Sequence, residues 1–170
     1  PAPSTIYRQI FKLPGGHNLL LKSDAMTCQV SKYWDFVLEP FEDLPTNPEE
    51  EWGEELRDLL RKSVRRRLMS DVPLGVFLSG GIDSSAITAF AAEAAGGERM
   101  KSFCIGFEEA SFDETRYARI IAERYHTEHC EEILSMERAR GLLPEIVGKL
   151  DEPMGDSSLM PTYLLCQETR

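Results

Sequence analysis

The residues from Ser79 to Ser85 bring two adjacent glycines, three hydroxyls and one carboxylate into a single short loop. Adjacent glycines let the backbone approach a ligand closely. The free amides that open a following helix, at the positive end of its dipole, point at whatever sits there. Phosphate is the usual occupant, and Ser79, Ser84 and Ser85 add donors that suit a polyoxygen anion such as pyrophosphate. Asp83 is the odd member, because a carboxylate in a loop built for anions repels phosphate unless a cation lies between them. Mg²⁺, which takes carboxylate and phosphate oxygens, is the natural bridge. The loop therefore predicts a Mg-nucleotide site with Asp83 as the metal ligand. The pattern G-x-x-x-x-G-K-[ST], which places a lysine on a γ-phosphate, is absent, as is the dinucleotide pattern G-x-G-x-x-G.

Such a loop needs a strand before it and a helix after it. Leu74 to Leu78 is a short apolar run, and Ile87, Phe90, Ala91 and Ala94 recur at helical spacing until Gly96-Gly97 closes the helix. Lys101 to Phe107 reads as a second strand. Ser111 and Glu114 predict a capping box for a helix with Tyr117, Ile120, Ile121 and Tyr125 inward, and Glu128 to Leu134 predicts a third strand. Strands alternating with helices imply an α/β fold with a doubly wound parallel sheet, whose ligand crevice lies at the carboxyl ends of the strands. Ile105, near the end of the second strand, is then a candidate to pack against an adenine ring, with Leu78 on its other side.

Upstream, Thr5 to Phe36 is strand-like, with a Pro14-Gly15-Gly16 turn and a break at Ser23-Asp24-Ala25, and predicts a small antiparallel hairpin or meander. Residues 37–48 have linker composition. Asn47 reads as a helix N-cap followed by Pro48 and three glutamates, with Trp52, Leu56, Leu59, Leu60, Val64 and Leu68 on one face. Arginines cluster toward the end of that helix, where the dipole favours them. His126, His129 and Cys130 make a poor zinc signature and read as a helix end leading into a strand. Downstream, Leu142, Leu143, Ile146, Val147 and Leu150 mark a helix in which Pro144 is tolerable only near the first turn. It leads to Asp151, Glu152, Asp156, Ser157 and Ser158, carboxylates and hydroxyls crowded into one loop.

The chain has 170 residues, 42% of them apolar, which suits about one domain. Its formal net charge of -10 disfavours nonspecific binding to nucleic acid or anionic membranes. No run approaches the roughly 20 apolar residues of a membrane helix. The four cysteines are scattered without C-x-x-C spacing, as expected of isolated thiols in a reducing, cytoplasmic setting.

Ser79 to Ser85 resembles the S-G-G-x-D-S-S loop of the ATP-pyrophosphatase group, in which ATP is cleaved between its α- and β-phosphates. The wider context resembles the synthetase domain of glutamine-dependent asparagine synthetases. Ile10 to His17 followed by Tyr33-Trp34-Asp35 resembles the junction leaving that family's glutaminase domain, Thr127-Glu128-His129 the middle of G-T-E-H-H, and the stretch from Leu150 the motif L-D-E-P-x-x-D-x-S.

The resemblance implies that residues 1–48 form a hairpin and linker after an absent N-terminal glutaminase domain. Residues 49–170 would be the first part of an adenine-nucleotide-hydrolase-like domain, so the chain is expected to be a fragment. It implies a ligase that amidates aspartate through a β-aspartyl-AMP intermediate, using ATP, Mg²⁺ and glutamine-derived ammonia, in a cytoplasmic protein for which a homodimer is open. Leu78, Ser79, Gly80, Gly81, Ile82, Asp83, Ser84, Ser85 and Ile105 would bind ATP and pyrophosphate, and Asp151, Glu152, Asp156 and Ser157 would organise the substrate region. A second loop resembling S-G-D-G-x-D-E and a later lysine are not in this chain, so it is expected to be inactive alone. The rival readings are a sister amidotransferase, such as a β-lactam synthetase-like or sugar- or peptide-modifying enzyme, and a noncatalytic nucleotide-binding module.

Overall fold

A computed structural model of the chain describes residues 2–40 and 44–169; residues 41–43, inside the expected linker, lie outside the described residues. The chain divides into two compact units. One comprises the described residues up to Leu44 with Asp151–Pro153, and the other Pro45–Leu150 with Met154 onward.

The first unit is built on a hairpin of β1 (His17–Lys22) and β2 (Thr27–Lys32), antiparallel, with His17 opposite Lys32 and Lys22 opposite Thr27. Gly16 has φ +69°, and a Cβ there would lie 2.2 Å from the Trp34 carbonyl oxygen, so only glycine lets the chain cross at this point. The Gly16 carbonyl accepts from the amides of Tyr33 and Trp34. His17 Nδ1 lies 2.8 Å from the Gly15 carbonyl, so the side chain of this first β1 residue bonds back to the turn before it. The strand-like pattern from Thr5 to Lys12 forms no strand. Thr5 Oγ1 instead takes the Tyr7 amide at 3.1 Å and reaches the Ile10 carbonyl at 2.7 Å, and a single bridge joins Ser4 to Phe11. Local side-chain bonds have won over an extended ladder there. Lys12 is ion-paired with Glu152 within this unit.

The second unit holds a three-stranded parallel sheet, β3 (Gly75–Phe77), β4 (Lys101–Phe107) and β5 (Glu128–Leu134), in the order β3-β4-β5. Helices α1 (Pro48–Arg67), α2 (Ile82–Ala94), α3 (Thr115–Arg124), α4 (Met136–Lys149) and α5 (Leu159–Glu168) complete it. Side chains alternate across the sheet, so both faces must be covered. Cys104 packs with Leu78 under Ala118 and Ala122 of α3. On the opposite face Leu134 packs with Ala139 of α4 and Leu164 of α5, joined by Ile105 and Phe107. The α/β architecture with helices on both faces is as the sequence implied, and the hairpin precedes it. Among the described residues no helix is long and apolar enough to cross a membrane.

Three helices differ in detail from expectation. Asn47 opens α1 without capping it: its amide donates to Glu50 at 2.6 Å, and Glu51 Oε1 accepts from the Asn47 N–H at 3.4 Å. Helix α3 is opened by Asp113 rather than a Ser111–Glu114 box, since Asp113 accepts from the Thr115 amide and hydroxyl. Its inward residues are Thr115, Ala118 and Ala122, with Ile121 partly buried, whereas Tyr117 and Ile120 are exposed. The reason is proximity: a Cβ on Gly80 would lie 2.7 Å from the Ala118 nitrogen, and one on Gly106 2.6 Å from Thr115 Cγ2, so the helix sits too close for large side chains. Pro144 lies inside α4, which starts earlier than the apolar pattern showed because Ser135 caps it by accepting from the Arg138 amide.

Candidate functional site: a glycine-rich loop over an apolar crevice

At the carboxyl end of β3 the chain pairs once more, Leu78 N–H to the Phe103 carbonyl at 2.8 Å, then turns through Ser79, Gly80 and Gly81 into α2. Gly80 takes φ +84° against α3, and Gly81 is the residue before the helix. The Ser85 amide donates to the Gly81 carbonyl at 3.0 Å and closes the first turn. The amides of Ile82, Asp83 and Ser84 precede any intrahelical acceptor and find none among the described residues. Three donors at a helix start, beside paired glycines, form a cradle for oxyanions.

The hydroxyls of Ser79 and Ser84 bond within the loop itself. Ser84 Oγ donates to the Gly81 carbonyl at 3.1 Å, so the proton between Ser79 Oγ and Ser84 Oγ, 3.0 Å apart, comes from Ser79. Ser79 Oγ in turn accepts from the Gly81 amide at 3.4 Å. These two side chains hold the loop's shape, and Thr88, wholly buried, donates to the Ser84 carbonyl at 2.8 Å beneath them.

Asp83 is exposed in the first turn of α2. No group of three His, Cys, Asp or Glu side chains suited to a metal occurs among the described residues. A lone carboxylate fits Mg²⁺ as an ion that keeps waters and substrate phosphate oxygens as its remaining ligands, and does not fit a cage of protein side chains.

Beside the loop lies a crevice of about 310 Å³ whose walls include Phe77, Ser79, Phe103, Ile105 and Phe107, with Phe112, Glu114, Pro161 and Thr162 among its other lining residues. Leu78 and Ile105 do not face each other across a ligand. Leu78 is 1% exposed in the cluster under α3, while Ile105 packs on the α5 side of the sheet. One register step separates the faces, so Leu78 has no side chain to offer on the Ile105 side and can meet a ligand there only through its backbone. The aromatic walls escaped the sequence reading, although Phe103, Ile105 and Phe107 alternate along β4 and would have shown the face. The α5 contributions, Pro161 and Thr162, carry no local signal.

The acidic loop after α4 divides between the units. Asp151 and Glu152 belong with the hairpin unit, where Lys12 holds Glu152, and Asp156 and Ser157 belong with the sheet. Asp156 Oδ1 accepts from the Ser158 amide at 2.9 Å and so starts α5, and that bond holds its carboxyl below the usual range. His129 and Cys130 are neighbours in β5 and face opposite sides of the sheet, so they do not converge on one ion.

The asparagine synthase family profile matches residues 55–170. The chain belongs to the asparagine synthase family. It is 34% identical over its whole length to a Methanocaldococcus jannaschii protein provisionally named a glutamine-hydrolysing asparagine synthetase, of which it covers 32%. It is 32% identical over its whole length to asparagine synthetase (glutamine-hydrolysing) 1 of Bacillus subtilis, of which it covers 26%. The chain thus spans about a quarter to a third of the length of these curated relatives. Among solved structures, an NH3-dependent NAD synthetase from Campylobacter jejuni aligns over 68% of the chain at 15% identity and a TM-score of 0.44, a likeness in backbone path alone.

Proposed function

We propose that the full-length protein amidates aspartate to asparagine at the expense of ATP, with glutamine as nitrogen donor, and that this chain supplies the ATP-binding half of the site. The carrying observation is the trio of unpartnered amides at Ile82, Asp83 and Ser84, which open α2 beside the crevice. The aspartate β-carboxylate attacks the α-phosphorus of ATP, the bond to the β-phosphate breaks, and β-aspartyl-AMP forms with loss of pyrophosphate. Ammonia then displaces AMP. Negative charge grows on the departing pyrophosphate, and the three fixed amide donors with the α2 dipole stabilise it where it develops. Asp83 would hold Mg²⁺ against the phosphates, which supplies further charge neutralisation. Phe103, Ile105 and Phe107 give the adenine ring an apolar surface, and Leu78 gives it backbone. Asp156 and Ser157 would organise the region around the acceptor.

The test is pyrophosphate release from Mg-ATP by the full-length protein with and without aspartate. Aspartate-dependent release, lost in Asp83→Ala with the fold intact, supports the reading. Release indifferent to aspartate moves the protein to a sister amidotransferase. ATP binding without any release reduces it to a nucleotide-binding module.

A further inference from the structure

The crevice beside the glycine loop carries a charge that the phosphate cradle does not use. Among its described lining residues Glu114 is the one charged side chain; the others are apolar, apart from the Ser79, Ser84 and Thr162 hydroxyls and the Cys104 thiol. Glu114 opens α3 without capping it, and its carboxylate makes no hydrogen bond or ion pair among the described residues. Phe112, two residues earlier, lines the same crevice and is 70% exposed. A large aromatic face and a bare carboxylate thus stand on one short loop, and neither is consumed by the packing or pairing of the fold.

That loop is fixed to the end of β4. Asp113 accepts from the Thr115 amide at 3.3 Å and from its hydroxyl at 2.9 Å, and a Cβ on Gly106 would lie 3.0 Å from Asp113 Oδ1. Phe112 and Glu114 flank this anchor, so they belong to the end of β4, whereas the amide cradle follows β3, the neighbouring strand. Adjacent strands lie about 4.8 Å apart. A nucleotide with its phosphates on the cradle can therefore carry its other end across Ile105 and Phe107 of β4. Charge decides which end meets Glu114. An ionised carboxylate repels phosphate, accepts hydrogen bonds and donates none. Its partner on a nucleotide is a donor, and the exocyclic amine of adenine is the donor that this base presents.

We propose that the β4–α3 loop reads the nucleobase: Phe112 stacks on the adenine ring, and the Glu114 carboxylate accepts from its exocyclic amine. The inference rests on the proposed use of ATP and adds the residues that select the base.

The test compares ATP with purine riboside triphosphate, which lacks only the exocyclic amine, by equilibrium binding to the full-length protein in the presence of Mg²⁺. The parent should prefer ATP by about tenfold, the worth of one charge-assisted bond. Glu114→Ala should bind the two with equal affinity, and Glu114→Gln, whose carbonyl still accepts, should keep part of the preference. Phe112→Leu should weaken both nucleotides alike by about tenfold, because stacking does not involve the amine. Both side chains are exposed, so all three variants should keep the urea midpoint of the parent. No preference in the parent, a preference that survives Glu114→Ala, or full affinity in Phe112→Leu overturns the proposal and leaves ATP as the nucleotide. If Glu114→Ala instead ceases to distinguish ATP from 2′-deoxy-ATP and still prefers the amine, the carboxylate reads the sugar, which also overturns it. Failure of both nucleotides to bind the parent removes the proposed use of ATP and this inference with it.

Discussion

Gly80 and Gly81 are neighbours with unequal duties. A methyl group on Gly80 would sit 2.6 Å from Tyr117 Cβ and 2.7 Å from the Ala118 nitrogen, on a backbone at φ +84°. The conformation alone costs a non-glycine residue about 1–3 kcal/mol, and the contacts force α3 off the sheet. At Gly81 the nearest atom is the Ser79 hydroxyl at 3.4 Å and the backbone is extended. Gly80→Ala should therefore lower the urea midpoint markedly, while Gly81→Ala stays within about 1 kcal/mol of the parent. Equal losses in the two variants would mean that the steric account of the loop is wrong. The same closeness explains why α3 presents alanines and threonine inward and leaves Tyr117 and Ile120 outside.

Helix α5 is an element whose position rests on few residues. Leu164 is fully buried between α4 and the sheet, and Arg138 ties Glu132 of β5 to Glu168 of α5. Leu164→Ala should cost about 2–5 kcal/mol and loosen the crevice wall that Pro161 and Thr162 provide, read as a lower unfolding midpoint and weaker ATP binding. Pro144 has the opposite sign: exposed inside α4, it removes one helical hydrogen bond, and Pro144→Ala should stabilise the fold by about 1–3 kcal/mol, read as a higher urea midpoint. Much of this architecture was legible. The strands Lys101–Phe107 and Glu128–Leu134 and the glycine loop announce themselves through apolar runs and punctuation. The inward face of α3 was not legible, because close approach to Gly80 and Gly106 inverted the rule that large apolar residues point to the core. The faces of Leu78 and Ile105 needed register, which a single apolar run does not carry.

Stability of the whole chain should form a plateau in pH. His129 has its pKa lowered by burial, so its neutral form supports the fold above the unfolded value of about 6.5, and that support is lost as pH falls through and below it. Asp113 and Asp156, lowered by bonds from Thr115 and Ser158, add support above about pH 4 that disappears on further acidification. Cys104, pushed up to about 11 by burial, supports the fold fully below its ordinary value of 9.0, and that support drains away as pH rises from there. Urea midpoints should thus decline below about pH 6.5 and above about pH 9, with Cys104→Ala flattening the alkaline limb. The strand order has a different kind of consequence. Because β3, β4 and β5 lie side by side in the order in which they are translated, each new strand joins an edge already present, and none must be threaded between finished neighbours. A ribosome can therefore release this sheet in instalments, and a nascent chain arrested once Phe107 has left the exit tunnel should already protect the β3–β4 amides from exchange before β5 emerges.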